Sequence, residues 1–198
     1  AIYGGDHSVP FGAIQTAARS NPGLGLVHVD AHADLRVAYE GFTWSHASII
    51  DNLLKRTPEL GPVVSLGVRD LGRAEAARAA ESVHLWTDPD IARHLADGET
   101  WASIVDRMLA PLPKQVWVTF DVDGLDPSLC PGTGTPVPGG LRWREAMTLL
   151  RRLAESGRQI VGFDICEVGP GDWDSIVGAR LLYKLAGWAI ATRNPETP

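Results

Sequence analysis

Short apolar runs rich in β-branched and aromatic residues alternate along this chain with stretches of helical spacing. Gly25–Val29, Val63–Val68, Val83–Trp86, Val116–Phe120 and Ile160–Phe163 predict five buried strands, with a stub of a sixth at residues 1–3. Between them, residues 46–56, 73–80, 100–110, 142–155 and 175–191 carry the spacing of amphipathic helices. In 142–155, Ala146, Leu149, Leu150 and Leu153 share one face, while Arg144, Glu145, Arg151 and Arg152 lie mostly off it. This alternation predicts an α/β fold, a parallel sheet wrapped by helices. The stretch from Asp126 to Gly140 is dense in Pro and Gly, too irregular for an element and too long for a tight turn. It reads as a functional loop.

Composition narrows the class. A chain of 198 residues that is 44% hydrophobic can bury one sizeable core, so residues 1–198 are expected to form a single domain. Eighteen basic residues against 24 acidic ones, with no dense Lys/Arg stripe, argue against a nucleic-acid partner. Cys130 and Cys166 are far apart and lack C-x-x-C spacing, which argues against a disulfide framework or thiolate zinc and for a reducing, cytoplasmic setting. No apolar run reaches membrane-spanning length and no signal-type segment opens the chain, so a soluble protein with no membrane partner is expected. The opening Ala1-Ile2-Tyr3-Gly4-Gly5 reads as the inside of a strand. The expectation is a domain whose amino-terminal portion is absent here.

The candidate chemistry lies where strands end. Asp30, His32 and Asp34 follow the strand 25–29 at i, i+2 and i+4, positions that share one side of an extended backbone. Asp121 and Asp123 repeat the device after the strand 116–120, and Gly4-Gly5-Asp6-His7 ends the first stub. In open α/β sheets the ligand crevice lies outside the carboxyl ends of the strands, so these segments can converge. Four aspartates at one crevice are costly unless cations compensate them, and two divalent ions would neutralise all four charges. Carboxylate and imidazole donors without thiolates suit manganese better than structural zinc, while ligand type alone leaves zinc, iron, cobalt and nickel open. A single aspartate at a strand end commonly caps a helix or turn, and the case for metal rests on the whole set.

Gly-Gly-Asp-His-Ser at 4–8, Asp-Ala-His-Ala-Asp at 30–34 and Phe-Asp-Val-Asp-Gly-Leu-Asp-Pro at 120–127 resemble the three signatures of the ureohydrolases. That family includes arginase, agmatinase, guanidinobutyrase and formimidoylglutamase. The resemblance runs from residue 4 to about residue 190 and implies a three-layer α/β/α, arginase-like fold with a mainly parallel sheet. It also implies two Mn2+ ions per subunit that activate water, and assembly as a homo-oligomer, a trimer or hexamer. Carried over, His7, Asp30, Asp34 and Asp121 hold or bridge one side of the cluster, His32 and Asp123 belong to the other, and Asp30 and Asp121 bridge. Glu167, just past the strand 160–165, matches the family glutamate that anchors the guanidinium. His46, in Trp44-Ser45-His46-Ala47-Ser48, matches the loop histidine assigned to proton transfer. Without the resemblance, Glu167 reads as a solvated loop carboxylate and His46 as a helix-start histidine beside a Ser45 N-cap.

Other residues have weaker claims. Asp6 either orients His7 or caps a turn, and Asp70 could steer a substrate amine or support the cluster. Asp126 reads as a turn residue, His28, His84 and His94 as core or surface residues, and the seven tryptophans as packing. The Asp34-Leu35-Arg36 and Ser45–Ser48 stretches look more like bacterial agmatinase-type members than arginase, so agmatine leads as the small guanidino substrate. Arg36 raises the competing possibility of a carboxylate-tailed substrate, or of a plain ion pair. A catalytically silent paralogue is the alternative from a different functional class.

Overall fold

In the computed structural model, which describes residues 1–193, the apolar runs form one six-stranded sheet. The strands are β1 (Ile2–Tyr3), β2 (Leu24–Val29), β3 (Leu60–Val68), β4 (His84–Thr87), β5 (Gln115–Asp121) and β6 (Gln159–Cys166). Their order is β1-β6-β5-β2-β3-β4, and every neighbouring pair is parallel. Parallel strands need crossover connections, which helices supply. The helices are α1 (Phe11–Ser20), α2 (Ile49–Arg56), α3 (Arg73–Ser82), α4 (Asp88–Ala96), α5 (Trp101–Leu109) and α6 (Trp143–Glu155), which lie between strands, and α7 (Asp172–Arg193), which follows the last one.

The two-residue period of the strands feeds two separate cores. On β5, Val116, Val118 and Phe120 pack with Ile104, Leu150 and Leu181 from α5, α6 and α7. Trp117 points the other way, into a core with Ile14, Ile49, Leu53 and Ala79 from α1, α2 and α3. Helices α1–α3 therefore cover one face and α4–α7 the other, which makes the three layers. Phe120 is wholly buried, and removing a side chain of that size from water is worth roughly 1.5–3 kcal/mol. No helix among the described residues is long and apolar enough to cross a membrane.

The expected strands and helices all form, with ends shifted by a few residues, and two helices were not anticipated. Helix α1 contains Gly12 and three alanines and buries only Ile14 and Ala18, so its apolar stripe is faint. Helix α4 starts directly where β4 stops, with the Thr87 hydroxyl accepting from Asp90 N–H at 3.2 Å and no intervening loop. The helix expected from residue 46 opens as a 3-10 turn, His46–Ser48, and becomes α-helical at Ile49. Ser45 does not cap it; its hydroxyl pairs with that of Ser48 at 3.0 Å.

From β2 the chain moves one way along the sheet through β3 and β4, then returns to build β5 and β6 on the other side of β2. The crossovers on the two sides diverge at the carboxyl ends of β2 and β5 and leave a crevice there.

Candidate metal centre

Asp30 is the first residue beyond β2, and Asp121 is the last of β5. Beyond it a 3-10 turn, Val122–Gly124, folds Asp123 back so that its Oδ1 accepts from Ala31 N–H at 2.9 Å. Gly124 permits this: a Cβ there would stand 2.8 Å from the Asp30 nitrogen. The turn and the end of β2 are in direct backbone contact.

Asp34 arrives differently from the alternating array that the sequence suggests. The backbone is no longer a regular strand beyond Val29, and Asp34 has φ of 53°, in the left-handed region. Its carbonyl accepts from Ile50 and Asp51 N–H at 3.1 and 3.2 Å, so the first turn of α2 fixes this bend. The carboxylate consequently turns in toward His7.

Two overlapping groups result. His7, His28, Asp30 and Asp34 present ligand atoms within 4.8 Å of one another, and so do Asp30, His32 and Asp123. Asp30 belongs to both, which suits a bridging ligand. His7 Nδ1 faces Asp30 at 2.9 Å, Asp34 at 3.2 Å and Asp121 at 3.4 Å. His32 Nδ1 lies 3.0 Å from Asp123 and 3.3 Å from Asp30. Asp121 is held beside His7 and accepts from Asp123 N–H at 2.9 Å, although its oxygens lie outside both groups.

The electrostatics describe a centre short of positive charge. Burial, then the neighbouring Asp30 charge, push Asp34 up to about 6, and the same causes raise Asp121 well above the usual carboxylate range. Burial works against an ionised Asp30 as well, yet His28, His32 and His7 outweigh it and hold Asp30 well below that range. Burial also opposes protonation of His32, but Asp123 and Asp30 dominate and push it up to about 11. Asp34 Oδ2 is buried, close to His7 Nδ1 but without a hydrogen bond. One ring nitrogen cannot serve three carboxylates. A cation at that point would satisfy all of them, and the all-oxygen and nitrogen donor set fits a hard or borderline divalent ion.

The other face of His7 is fixed by partners that sequence reading missed. Its Nε2 contacts Thr119 Oγ1 at 2.8 Å, and the Thr119 hydroxyl donates to Asp164 Oδ1 at 2.8 Å. Trp117 Nε1–H donates to Asp164 Oδ2 at 2.6 Å. With Thr119 donating to Asp164, His7 donates from Nε2 to Thr119. Burial opposes a second proton, but Asp121, Asp30 and Asp34 around Nδ1 outweigh it and raise the His7 pKa well above the usual histidine range; a cation at Nδ1 would take the place of that second proton. Asp6, the partner considered from sequence, instead closes a turn by accepting from Ser8 N–H at 2.9 Å. Alternation on adjacent strands β5 and β6 could have pointed to Thr119 and Asp164, which are in register. His28 is a core residue as expected, and also contacts Asp30 at 3.0 Å and Ser65 at 3.0 Å. Asp126 closes a turn with Ser128, and His94 pairs with Glu99.

Glu167 and His46 flank the cluster without joining it. Glu167, also left-handed with φ of 61°, accepts from His7 main-chain N–H at 3.1 Å, and burial raises its pKa. His46 meets the Tyr39 ring edge-on at 5.5 Å. A cavity of about 130 Å³ runs from His32 and Asp34 past Thr135 and His46 to Tyr39, Arg36, Asp70 and Glu75. Arg36 is committed inside the chain, 3.5 Å from Glu75 and over the Tyr39 ring at 5.2 Å.

Known proteins resemble this chain in sequence and in fold. The chain is 35% identical over 195 residues to an N(1)-aminopropylagmatine ureohydrolase of Synechocystis sp., covering 93% of this chain and 59% of the relative. It is 33% identical over 169 residues to agmatinase of Bacillus subtilis, covering 84% and 54%. The solved proclavaminate amidinohydrolase of Streptomyces clavuligerus superposes with a TM-score of 0.82 at 28% identity, over 96% of this chain and 64% of that one. The chain thus spans less than two thirds of the length of these relatives. The sequence profile of the Arginase family matches residues 1–187, a span that takes in the whole sheet and every residue of the cluster, and the chain belongs to that family.

Proposed function

We propose that the crevice is a binuclear, manganese-dependent amidinohydrolase centre that releases urea from a guanidino substrate, with agmatine, which would yield putrescine, as the leading candidate. The observation that carries this reading is His7 Nδ1 facing three buried carboxylates, one of them with an oxygen that has no hydrogen-bond partner. His7, Asp30, Asp34 and Asp121 would hold one ion, and His32 and Asp123 the second, with Asp30 and Asp121 shared. When bound, such ions supply hydrolytic power by lowering the pKa of water toward neutrality.

The chain's own groups account for the rest. Glu167 stands beside His7 and can accept from the guanidinium N–H groups, orienting the trigonal carbon toward the cluster. His46, which lines the cavity that opens from His32 and Asp34, would pass a proton to the departing amine. Overall, the guanidinium and water give an alkylammonium and urea, one C–N bond breaking as one C–O bond forms. Farther out, Asp70 lines the cavity, and no Lys, Arg or His among the described residues pairs with it, whereas Arg36 is engaged by Glu75. A free carboxylate beside a neutralised arginine favours an ammonium tail over a carboxylate tail. Relatives named for agmatine and aminopropylagmatine support that preference, and relatives named for guanidinobutyrate and proclavaminate set the competing case that the substrate comparison must test. The family resemblance supports a trimeric or hexameric homo-oligomer, and the cysteine usage a cytoplasmic setting.

The test is metal content per chain and urea release after manganese loading, across agmatine, aminopropylagmatine, arginine, guanidinobutyrate and guanidine. Two ions per chain and fastest release from an amine-tailed substrate are expected. No metal uptake together with no urea would reject the enzyme in favour of a silent paralogue. Faster release from guanidinobutyrate would reject the amine preference alone.

A further inference from the structure

We propose that Arg69 is a positioning residue that sets the Asp123 half of the metal centre, an inference that rests on the binuclear reading above. Arg69 follows directly on β3, and its N–H donates to the Ala31 carbonyl at 2.8 Å, alongside the exit of β2. Its half-buried guanidinium then donates to the carbonyls of Gly67 at 3.1 Å, Asp123 at 2.7 Å, Leu125 at 3.1 Å and Val137 at 2.8 Å. No carboxylate among the described residues forms an ion pair with it. Its donors are spent on the backbone of three separate segments, a task for a planar fork that a lysine ammonium cannot reproduce.

The Pro/Gly loop is built around this group. A Cβ at Gly139 would lie 3.2 Å from Arg69 Cδ, and one at Gly140 would lie 2.8 Å from Arg69 Cζ. The same loop brings the Thr135 hydroxyl to Asp123 Oδ2 at 3.3 Å. Asp123 is thereby held at its carbonyl by Arg69, at Oδ1 by Ala31 N–H and at Oδ2 by Thr135. None of the hydrogen bonds of Arg69 reaches the side chains of His7 or Asp34. Losing the fork should loosen the Asp123 and His32 half and spare the other.

The experiment is calorimetric titration of the metal-free full chain with Mn2+, for wild type, Arg69→Lys and the reference variants Asp123→Asn and Asp34→Asn. In Arg69→Lys one binding step should weaken 10- to 100-fold, the range seen when groups behind metal ligands are removed, and the other should stay within threefold. The weakened step should match that of Asp123→Asn, and kcat for urea release should fall with KM within twofold. Equal loss at both steps, no loss at either, or a match to Asp34→Asn overturns the assignment. Should Arg69→Lys fail to fold, Arg69→Gln, which keeps two side-chain N–H donors but not the fork, must show the same one-sided loss, and a symmetric or absent loss overturns the role. A wild type that binds no manganese defeats the metal reading itself, whereas a wild type with two ions and a symmetric Arg69→Lys defeats only this inference.

Discussion

Thr119→Val tests whether the groups behind His7 matter to its task at the centre. Thr119 is fully buried on β5, and valine nearly matches its shape, so the change removes a hydroxyl and opens little space. His7 Nε2, in a ring only 1% exposed, then loses its acceptor, and Asp164 keeps Trp117 but loses one donor. An unsatisfied buried polar group costs about 1–3 kcal/mol, so the metal-free chain should lose that much stability in denaturant unfolding. The tautomer of His7 is also released, and metal affinity should fall about 10- to 100-fold. That corresponds to about 1.4–2.8 kcal/mol. Calorimetric titration with Mn2+ measures it, and Thr119→Ser, which restores the hydroxyl, should recover most of the loss. The reasoning fails if the valine variant binds manganese as tightly as wild type, or if serine does no better than valine.

Asp123→Ala should abolish urea release and leave at most one tightly held ion per chain, read by metal analysis; undiminished activity would contradict its assignment as a ligand. Asp70→Asn should raise KM for agmatine up to about tenfold, equivalent to about 1.4 kcal/mol of lost attraction, and change guanidinobutyrate turnover little; an unchanged agmatine KM would remove Asp70 from substrate recognition. In the metal-free chain, the raised Asp34 pKa means that the unfolded state gives up its proton first. Stability from this group should therefore fall as pH rises from about 3.8 to about 6, and Asp34→Asn should flatten that fall in thermal unfolding. For His32 the folded state holds the proton more tightly, so its contribution is fully present below about 6.5 and is lost as pH climbs toward about 11. A His32→Gln chain with the same alkaline stability profile as wild type would refute that share.

The sequence by itself determined the α/β alternation, the two faces of α6 and the placement of Asp30, His32, Asp121 and Asp123 at strand ends, because periods of two and 3.6 residues are local properties of the chain. It also carried the three signatures by which the ureohydrolase family is recognised. Helices α1 and α4 escaped it where local contrast is weak: alanines and Gly12 blur one stripe, and the other helix has no loop before it. Only the tertiary structure decided that Asp34 reaches His7 through a left-handed bend pinned by α2, since that conformation is fixed by N–H groups sixteen and seventeen residues away. Only β5 lying in register beside β6 could bring Thr119 to Asp164 behind His7, and only packing at the switch point could bring Arg69 onto the carbonyl of Asp123. The candidate ligands are thus a matter of strand ends that a linear reading can find, whereas the groups that orient them come from neighbouring strands and loops and exist as partners only once the sheet has closed around them.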